Sequence, residues 1–147
     1  MGIKTNGDLM RYRFHPTTWA HQRTDKIGAG WNIFSHVIGG KDGLIYAVEA
    51  STGKIRYYRD TFVNSTSTWA PNVGKVVGSG FSMYEWILGG EDGIIYAIDS
   101  KGDLLIFKDS KRDGTGTIAK LNKIGSGWNM FSRVVGGAGG VLWGEMD

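Results

Sequence analysis

Three stretches of this chain repeat one another: GAGWNIFSHVIGG over Gly28–Gly40, GSGFSMYEWILGG over Gly78–Gly90 and GSGWNMFSRVVGG over Gly125–Gly137. Their first aromatic residues, Trp31, Phe81 and Trp128, are 50 and 47 positions apart, and Phe34, Tyr84 and Phe131 keep the same register. A repeat of this period marks a supersecondary unit that cannot bury its apolar surface alone and must pack against its neighbours. The chain therefore reads as three copies of one unit of roughly 48 residues.

The similarity continues beyond each block. KDGLIYAVEASTGKIRYYRD, from Lys41 to Asp60, parallels EDGIIYAIDSKGDLLIFKD, from Glu91 to Asp109. LIYAV and IIYAI are β-branched and aromatic runs, and Ser-Thr-Gly and Ser-Lys-Gly turns lead from them into KIRYYR and DLLIFK, so both stretches predict hairpins. Lys41-Asp42-Gly43 and Glu91-Asp92-Gly93 mark an earlier turn in each unit, with Ala138-Gly139-Gly140 in the same place in the third. Asp-Gly and Gly-Gly both suit a tight hairpin, which favours a turn over a ligand role for Asp42 and Asp92. The 24 glycines against two prolines, with six each of Trp, Tyr and Phe, fit many tight turns between aromatic-rich strands and no long helix.

Each unit thus offers about four strands: an inner one such as FSHVIGG, the two of the hairpin, and an outer one ending in KIG or VVG. Runs such as Ile94-Ile95 and Val134-Val135 are apolar on both faces, as suits a sheet sandwiched between sheets. The expected class is all-β, a β-propeller of three four-stranded blades in one domain over residues 1–147; β-trefoil-like and β-prism arrangements are the alternatives. MGIKTNGDLMRYRF aligns with the later part of a unit, and AGGVLWGEMD with its beginning. The units are circularly permuted: the N-terminal hairpin 1–14 completes the blade begun by 125–147, and Met1–Ile3 duplicates the strand Leu142–Met146. Three blades are few for a ring, so a homodimer closing six is expected.

The charge of +3, from 17 basic and 14 acidic residues, is dispersed, which disfavours nucleic acid as a partner. Cysteine is absent, so disulfide and thiolate chemistry are excluded. No stretch approaches a membrane span or shows a signal peptide, and a soluble product of undetermined compartment is expected. Asn64-Ser65-Thr66 has the form of a glycosylation acceptor and marks an exposed loop. No cluster breaks the repeat as an enzyme site would. His15, His21 and His36 lack metal-ligand spacing, and no nucleophile elbow occurs, so neither catalysis nor a cofactor is expected.

The motif G-x-G-W-x-x-F, the DG-x-IYA strand after it and a Trp-containing loop resemble the tachylectin-2-like repeat over essentially the whole chain. That resemblance implies a β-propeller lectin recognising N-acetylated hexoses (GlcNAc or GalNAc type) at sites between adjacent blades. Each site would be formed by a large loop joining outer strands and by the segment connecting one blade to the next. The loops are then residues 14–25, 60–75 and 109–121. The first two carry Trp19 and Trp69, where the third has Ile118. The connecting segments supply Gly30, Trp31 and Asn32, then Gly80 and Phe81 followed by Ser82, then Gly127, Trp128 and Asn129.

A pyranose site needs an apolar ring for the sugar's C–H face and fixed donors and acceptors for its hydroxyls, which Trp beside Asn supplies. Trp31 and Trp128 serve equally as ligand platforms or as packing between blades; Trp19 and Trp69, in polar loops, are better placed for ligand. The expected function is a multivalent carbohydrate-binding lectin. The alternative is a non-catalytic scaffold for protein–protein interaction.

Overall fold

The computed structural model describes residues 1–61 and 69–146. The acceptor sequence Asn64-Ser65-Thr66 and part of the loop 60–75 lie outside them.

Thirteen antiparallel strands are formed among the described residues, in four sheets. The first sheet pairs β1 (Gly2–Ile3), β2 (Leu9–Phe14) and β3 (His21–Gly28). The second is a four-stranded meander of β4 (Phe34–Gly39), β5 (Leu44–Glu49), β6 (Ile55–Arg59) and β7 (Val76–Gly78). The third repeats it with β8 (Tyr84–Gly89), β9 (Ile94–Asp99), β10 (Leu104–Lys108) and β11 (Ala119–Gly125). The fourth pairs β12 (Arg133–Gly136) with β13 (Leu142–Glu145). The two complete meanders have the form of blades. By register, the first sheet matches the last three strands of such a unit and the fourth matches its first two.

The period-two alternation along each middle strand explains the layering. In β5, Leu44, Tyr46 and Val48 join a core shared with the third sheet, through Ile87, Ile95, Ala97 and Phe107. Ile45 and Ala47 point the other way, into a core with Leu9, Ile27 and Trp31. In β9 the alternation recurs: Ile95 and Ala97 face the second sheet, while Tyr96 and Ile98 pack with Leu104 and Val134 toward the fourth. A middle strand buried on both faces has no polar side, which is why these runs read as continuously apolar.

The inner strands converge at glycines. A Cβ on Gly89 would stand 2.8 Å from the carbonyl oxygen of Gly39, and one on Gly136 would stand 3.0 Å from that of Gly89. Only hydrogen fits where these backbones meet.

Two buried polar contacts tie sheet to sheet. Arg11 of β2 donates to both carboxylate oxygens of Asp60, at 3.0 and 2.9 Å, with Asp60 2% exposed. Burial works against the Arg11 charge, but the bonds to Asp60 and Asp25 outweigh it and hold the guanidinium above its ordinary value. One unit further on, the Tyr46 hydroxyl donates to Asp109 at 2.6 Å, and Asp109 is wholly buried. Burial, then that hydrogen bond, pushes the Tyr46 hydroxyl far above its ordinary value, so it stays a donor.

The outer strands begin earlier than the sequence indicated. β3 starts at His21 and β11 at Ala119, so the expected loops 14–25 and 109–121 are largely strand at their far ends. Gln22 to Arg23 and Lys120 to Lys123 are exposed on this outermost edge. With no buried face, they carry no apolar alternation to read.

Candidate ligand-binding site

The connecting segments are built the same way three times, and the G-x-G-aromatic motif follows from their geometry. The second glycine, Gly30, Gly80 or Gly127, lies in the left-handed region at φ 75°, 78° and 74°. It reverses the chain into a single 3-10 turn, Trp31–Ile33, Phe81–Met83 or Trp128–Met130. The first glycine makes room for the ring that follows: a Cβ on Gly28 would stand 2.6 Å from the Trp31 indole nitrogen, and one on Gly125 2.7 Å from that of Trp128. The backbone N–H of each aromatic residue then docks on the preceding unit's turn. Trp31 donates to the Gly7 carbonyl at 2.9 Å, Phe81 to Gly53 at 3.0 Å and Trp128 to Gly102 at 2.9 Å.

Each anchor ring opens an aromatic cluster, and the three clusters are unequal. Trp31 packs on Phe34 at 5.2 Å, on Tyr58 at 4.6 Å and, nearly parallel, on Trp69 at 6.1 Å. The Trp69 indole N–H donates to the Ile27 carbonyl at 3.1 Å, fixing that side chain against the preceding sheet. In the next unit Phe81 packs on Tyr84 and Phe107, at 5.5 and 5.1 Å. The third wall there is Ile118, whose N–H donates to the Val77 carbonyl at 2.7 Å. Trp128 has one ring neighbour among the described residues, Phe131 at 5.2 Å.

Trp31 and Phe81 are 5% and 3% exposed, so their faces are spent on this packing; Trp128 is half-buried. Trp69 is half-buried beside Trp31, whereas Trp19 is 74% exposed on a loop braced by His15, whose Nδ1 accepts from the Thr17 and Thr18 N–H groups. Trp19 itself sits at φ 59°, an uncommon conformation for a residue with a side chain. Asn32, Ser82 and Asn129 are exposed at the rim of each segment. The structure thus brings Gly30, Trp31, Asn32 and Trp69 into one neighbourhood. It places Gly80 and Phe81 in a second with Ile118, and Gly127, Trp128 and Asn129 in a third where Phe131 is the ring neighbour among the described residues.

Sequence reasoning missed three features here. Ile33, Met83 and Met130 close each 3-10 turn and are 57%, 64% and 58% exposed, an apolar side chain presented to solvent at one position of every unit. Their signal was available: the position is apolar in all three copies. The second is the burial of Asp60 and Asp109, which share one register position where the first unit has Phe14. The third is a cavity of 160 Å³ between the first and second sheets, lined by Met1, Arg11, Tyr12, Leu44, Ile45 and Asp60 among others. Beside it, where the inner strands end, Gly39, Gly89 and Gly136 border an open space of 640 Å³.

Asp42 and Asp92, at φ 56° and 50°, and Gly139, at φ 71°, all occupy the left-handed region, each followed by a glycine that does the same. The turn reading of these positions therefore agrees with their backbone. Among the described residues, no group of three or more His, Asp or Glu side chains is arranged to hold a metal, and no helix is long and apolar enough to cross a membrane.

A family model described as tachylectin matches residues 2–147. A search of the curated proteins finds no match. Among solved structures, one described by the words "The de novo evolutionary emergence of a symmetrical protein is shaped by folding constraints" superposes with a TM-score of 0.52 at 18% identity. The match covers 90% of this chain and 56% of that one, so this chain spans little more than half of its length. At that identity the likeness concerns the fold.

Proposed function

The chain belongs to the tachylectin family, and on that premise we propose that it is a carbohydrate-binding lectin for N-acetylated hexoses, built as part of a β-propeller. The observation that carries the reading is the Trp31 neighbourhood. There a loop tryptophan, Trp69, stacks beside the anchor Trp31, while exposed Asn32 stands at the rim of the same segment. An apolar wall beside a fixed amide is what a pyranose bearing an acetamide requires: the ring's C–H face meets the wall, and the acetamide exchanges hydrogen bonds with side-chain amide and backbone. Buried Trp31 acts chiefly by holding Trp69 in place. Direct contact falls to Trp69, Asn32 and exposed Ile33.

The inequality of the clusters sets the number of sites. Ile118 and Ser82 stand in the second unit where Trp69 and Asn32 stand in the first, which removes both the indole wall and the amide there. Weak sites repeated on one particle gain through avidity. The site would be strongest at the first connecting segment, and catalysis has no part in the reading.

The test is titration with N-acetylglucosamine of the native chain, Asn32→Ala and the Trp19→Ala/Trp69→Ala double variant, with circular dichroism as a check on folding. Saturable binding that is weakened by Asn32→Ala and mostly abolished in the folded double variant is the expected result. Unaltered binding in both variants overturns the assignment. A second reading, a scaffold for protein partners, draws on the exposed Ile33, Met83 and Met130. A glycan array silent on every N-acetylated hexose would favour it.

A further inference from the structure

The largest unexplained apolar exposure lies on the first and fourth sheets, and it is complementary. Register makes the comparison quantitative. Arg133↔Glu145 in the fourth sheet corresponds to Trp86↔Ile98 in the third, so Trp143 takes the place of Tyr96 and of Tyr46. Ile3↔Leu9 corresponds to Ile98↔Leu104, so Met1-Gly2-Ile3 takes that same place again in the first sheet. Residues 1–3 and 143–145 are two versions of one strand, each with a glycine where Ala47 and Ala97 stand in the complete units.

The exposures follow from this. Trp143 is 57% exposed, whereas Tyr46 and Tyr96 are 4% and 6%. Tyr12 is 42% exposed, whereas Phe107 at its register position is 6%. Ile124 is 49% exposed, whereas Ile27 and Val77 are 9% and 2%, each covered by a loop residue, Trp69 or Ile118, that bonds to its carbonyl. Trp19 is the counterpart of Trp69, nine residues before the glycine that ends its outer strand in both units.

We propose that a second copy of this chain completes the fourth sheet. β13 of one copy pairs with β2 of the other, displacing β1 from the edge it now covers with two residue pairs, Gly2↔Met10 and Ile3↔Leu9. β13 brings four residues, Leu142–Glu145, to the same edge. The partner's Tyr12 and the partner's Trp19 then join Trp128 and Phe131, as Tyr58 and Trp69 join Trp31 and Phe34. The partner's Trp19 reaches the Ile124 carbonyl as Trp69 reaches that of Ile27. Reciprocally, Trp143 enters the 160 Å³ cavity of the partner in place of Met1, with its indole N–H toward the carboxylate of Asp60, where the Tyr46 hydroxyl meets Asp109 one unit on. Made at both junctions, the exchange closes a ring of six blades from two chains.

The ligand neighbourhood at Trp128 is therefore shared between copies. That consequence alone rests on the lectin reading; the assembly does not. The mate is a second copy rather than another protein because the edge, the aromatic pair and the cavity each match a segment of this same chain in register.

The experiment uses the absence of native cysteine. By the β9–β10 register, Val141 falls opposite Arg13 of the partner, as Ile94 falls opposite Lys108. Mild oxidation of the Val141→Cys/Arg13→Cys variant is expected to give a covalent species of twice the 16.1 kDa chain mass, and sedimentation of the native chain the same mass. Trp143→Ala should weaken association about 30-fold or more, as loss of a buried anchor does. Deletion of residues 1–3 should strengthen it, since the competing strand is gone. A disulfide formed within one chain, or a native chain that sediments as a monomer with no cross-link, overturns the proposal. Sugar titration of the dimer tests the lectin reading separately.

Discussion

Replacing Tyr46 by Phe removes one oxygen and leaves the packing of β5 intact. The carboxylate it serves, Asp109, is wholly buried. One of its oxygens, Oδ1, accepts from the Lys111 and Arg112 N–H groups at 3.3 and 3.2 Å, while Oδ2 accepts from Tyr46 alone among the described residues. Without the hydroxyl, Oδ2 carries charge in a place water does not reach. A hydrogen bond to a charged group contributes about 1.5–3 kcal/mol, and stranding its buried partner puts the loss toward the upper end. For a domain of this size, a loss of about 3 kcal/mol lowers Tm by roughly 6–12 °C. Tyr96 provides the control: it occupies the same register position and is 6% exposed, yet its hydroxyl makes no protein hydrogen bond among the described residues. Tyr96→Phe should change stability by less than about 0.5 kcal/mol. Urea denaturation of the two variants and of the Tyr46→Phe/Asp109→Leu double variant measures the difference, and the double variant should recover part of the loss because no charge is left stranded. Equal effects of Tyr46→Phe and Tyr96→Phe, or a negligible one of Tyr46→Phe, would refute the claim that this bond ties the two sheets together.

Trp69→Ala should destabilise the protein by about 2–4 kcal/mol, since it removes the ring stacked on Trp31 and the bond to Ile27, and thermal melts will register it. Trp19→Ala, at a 74% exposed residue, should leave the stability of an isolated chain within about 0.5 kcal/mol. Gly89→Ala should cost about 1–3 kcal/mol, because its methyl would meet the Gly39 carbonyl and backbone cannot swing aside as a flexible side chain does. Asp25, Asp8 and Glu49 have folded values below their ordinary ones, held there first by Arg23, Lys26 and Arg56 respectively. Depressed carboxylates stabilise the folded state above their unfolded values, and that contribution fades as pH falls through the folded ones. Melting temperature should therefore drop as pH is lowered below about 4, and pH-dependent calorimetry will show whether it does.

The sequence made the repeat and the four-strand unit legible because turn chemistry and two-sided burial recur at fixed spacing. The Asp42-Gly43 and Asp92-Gly93 turns and the register of Tyr12, Tyr58 and Phe107 could be aligned before any coordinates. What it concealed were contacts between units. Arg11 meets Asp60 across 49 positions and Tyr46 meets Asp109 across 63, and no local pattern signals either. The early starts of the outer strands also escaped, because β3 and β11 are solvent-facing there and carry no apolar rhythm. For the candidate site, the sequence pointed to the connecting segments and loops but could not separate the buried rings, Trp31 and Phe81, from the exposed ones. Burial there depends on which strand-three aromatic and which loop residue arrive from elsewhere in the unit. The exposed Ile33, Met83 and Met130 carry a legible signal, since that position is apolar in all three copies.

Calorimetric titration of the native chain with N-acetylglucosamine and, in parallel, with glucose tests the lectin assignment most directly. Saturable heat for the acetylated sugar, fewer than three sites per chain and little or no response to glucose are the predicted results. Equal binding of both sugars, or no binding of either, would contradict the reading of Trp69 and Asn32 as the wall and the amide of an acetamido-sugar site.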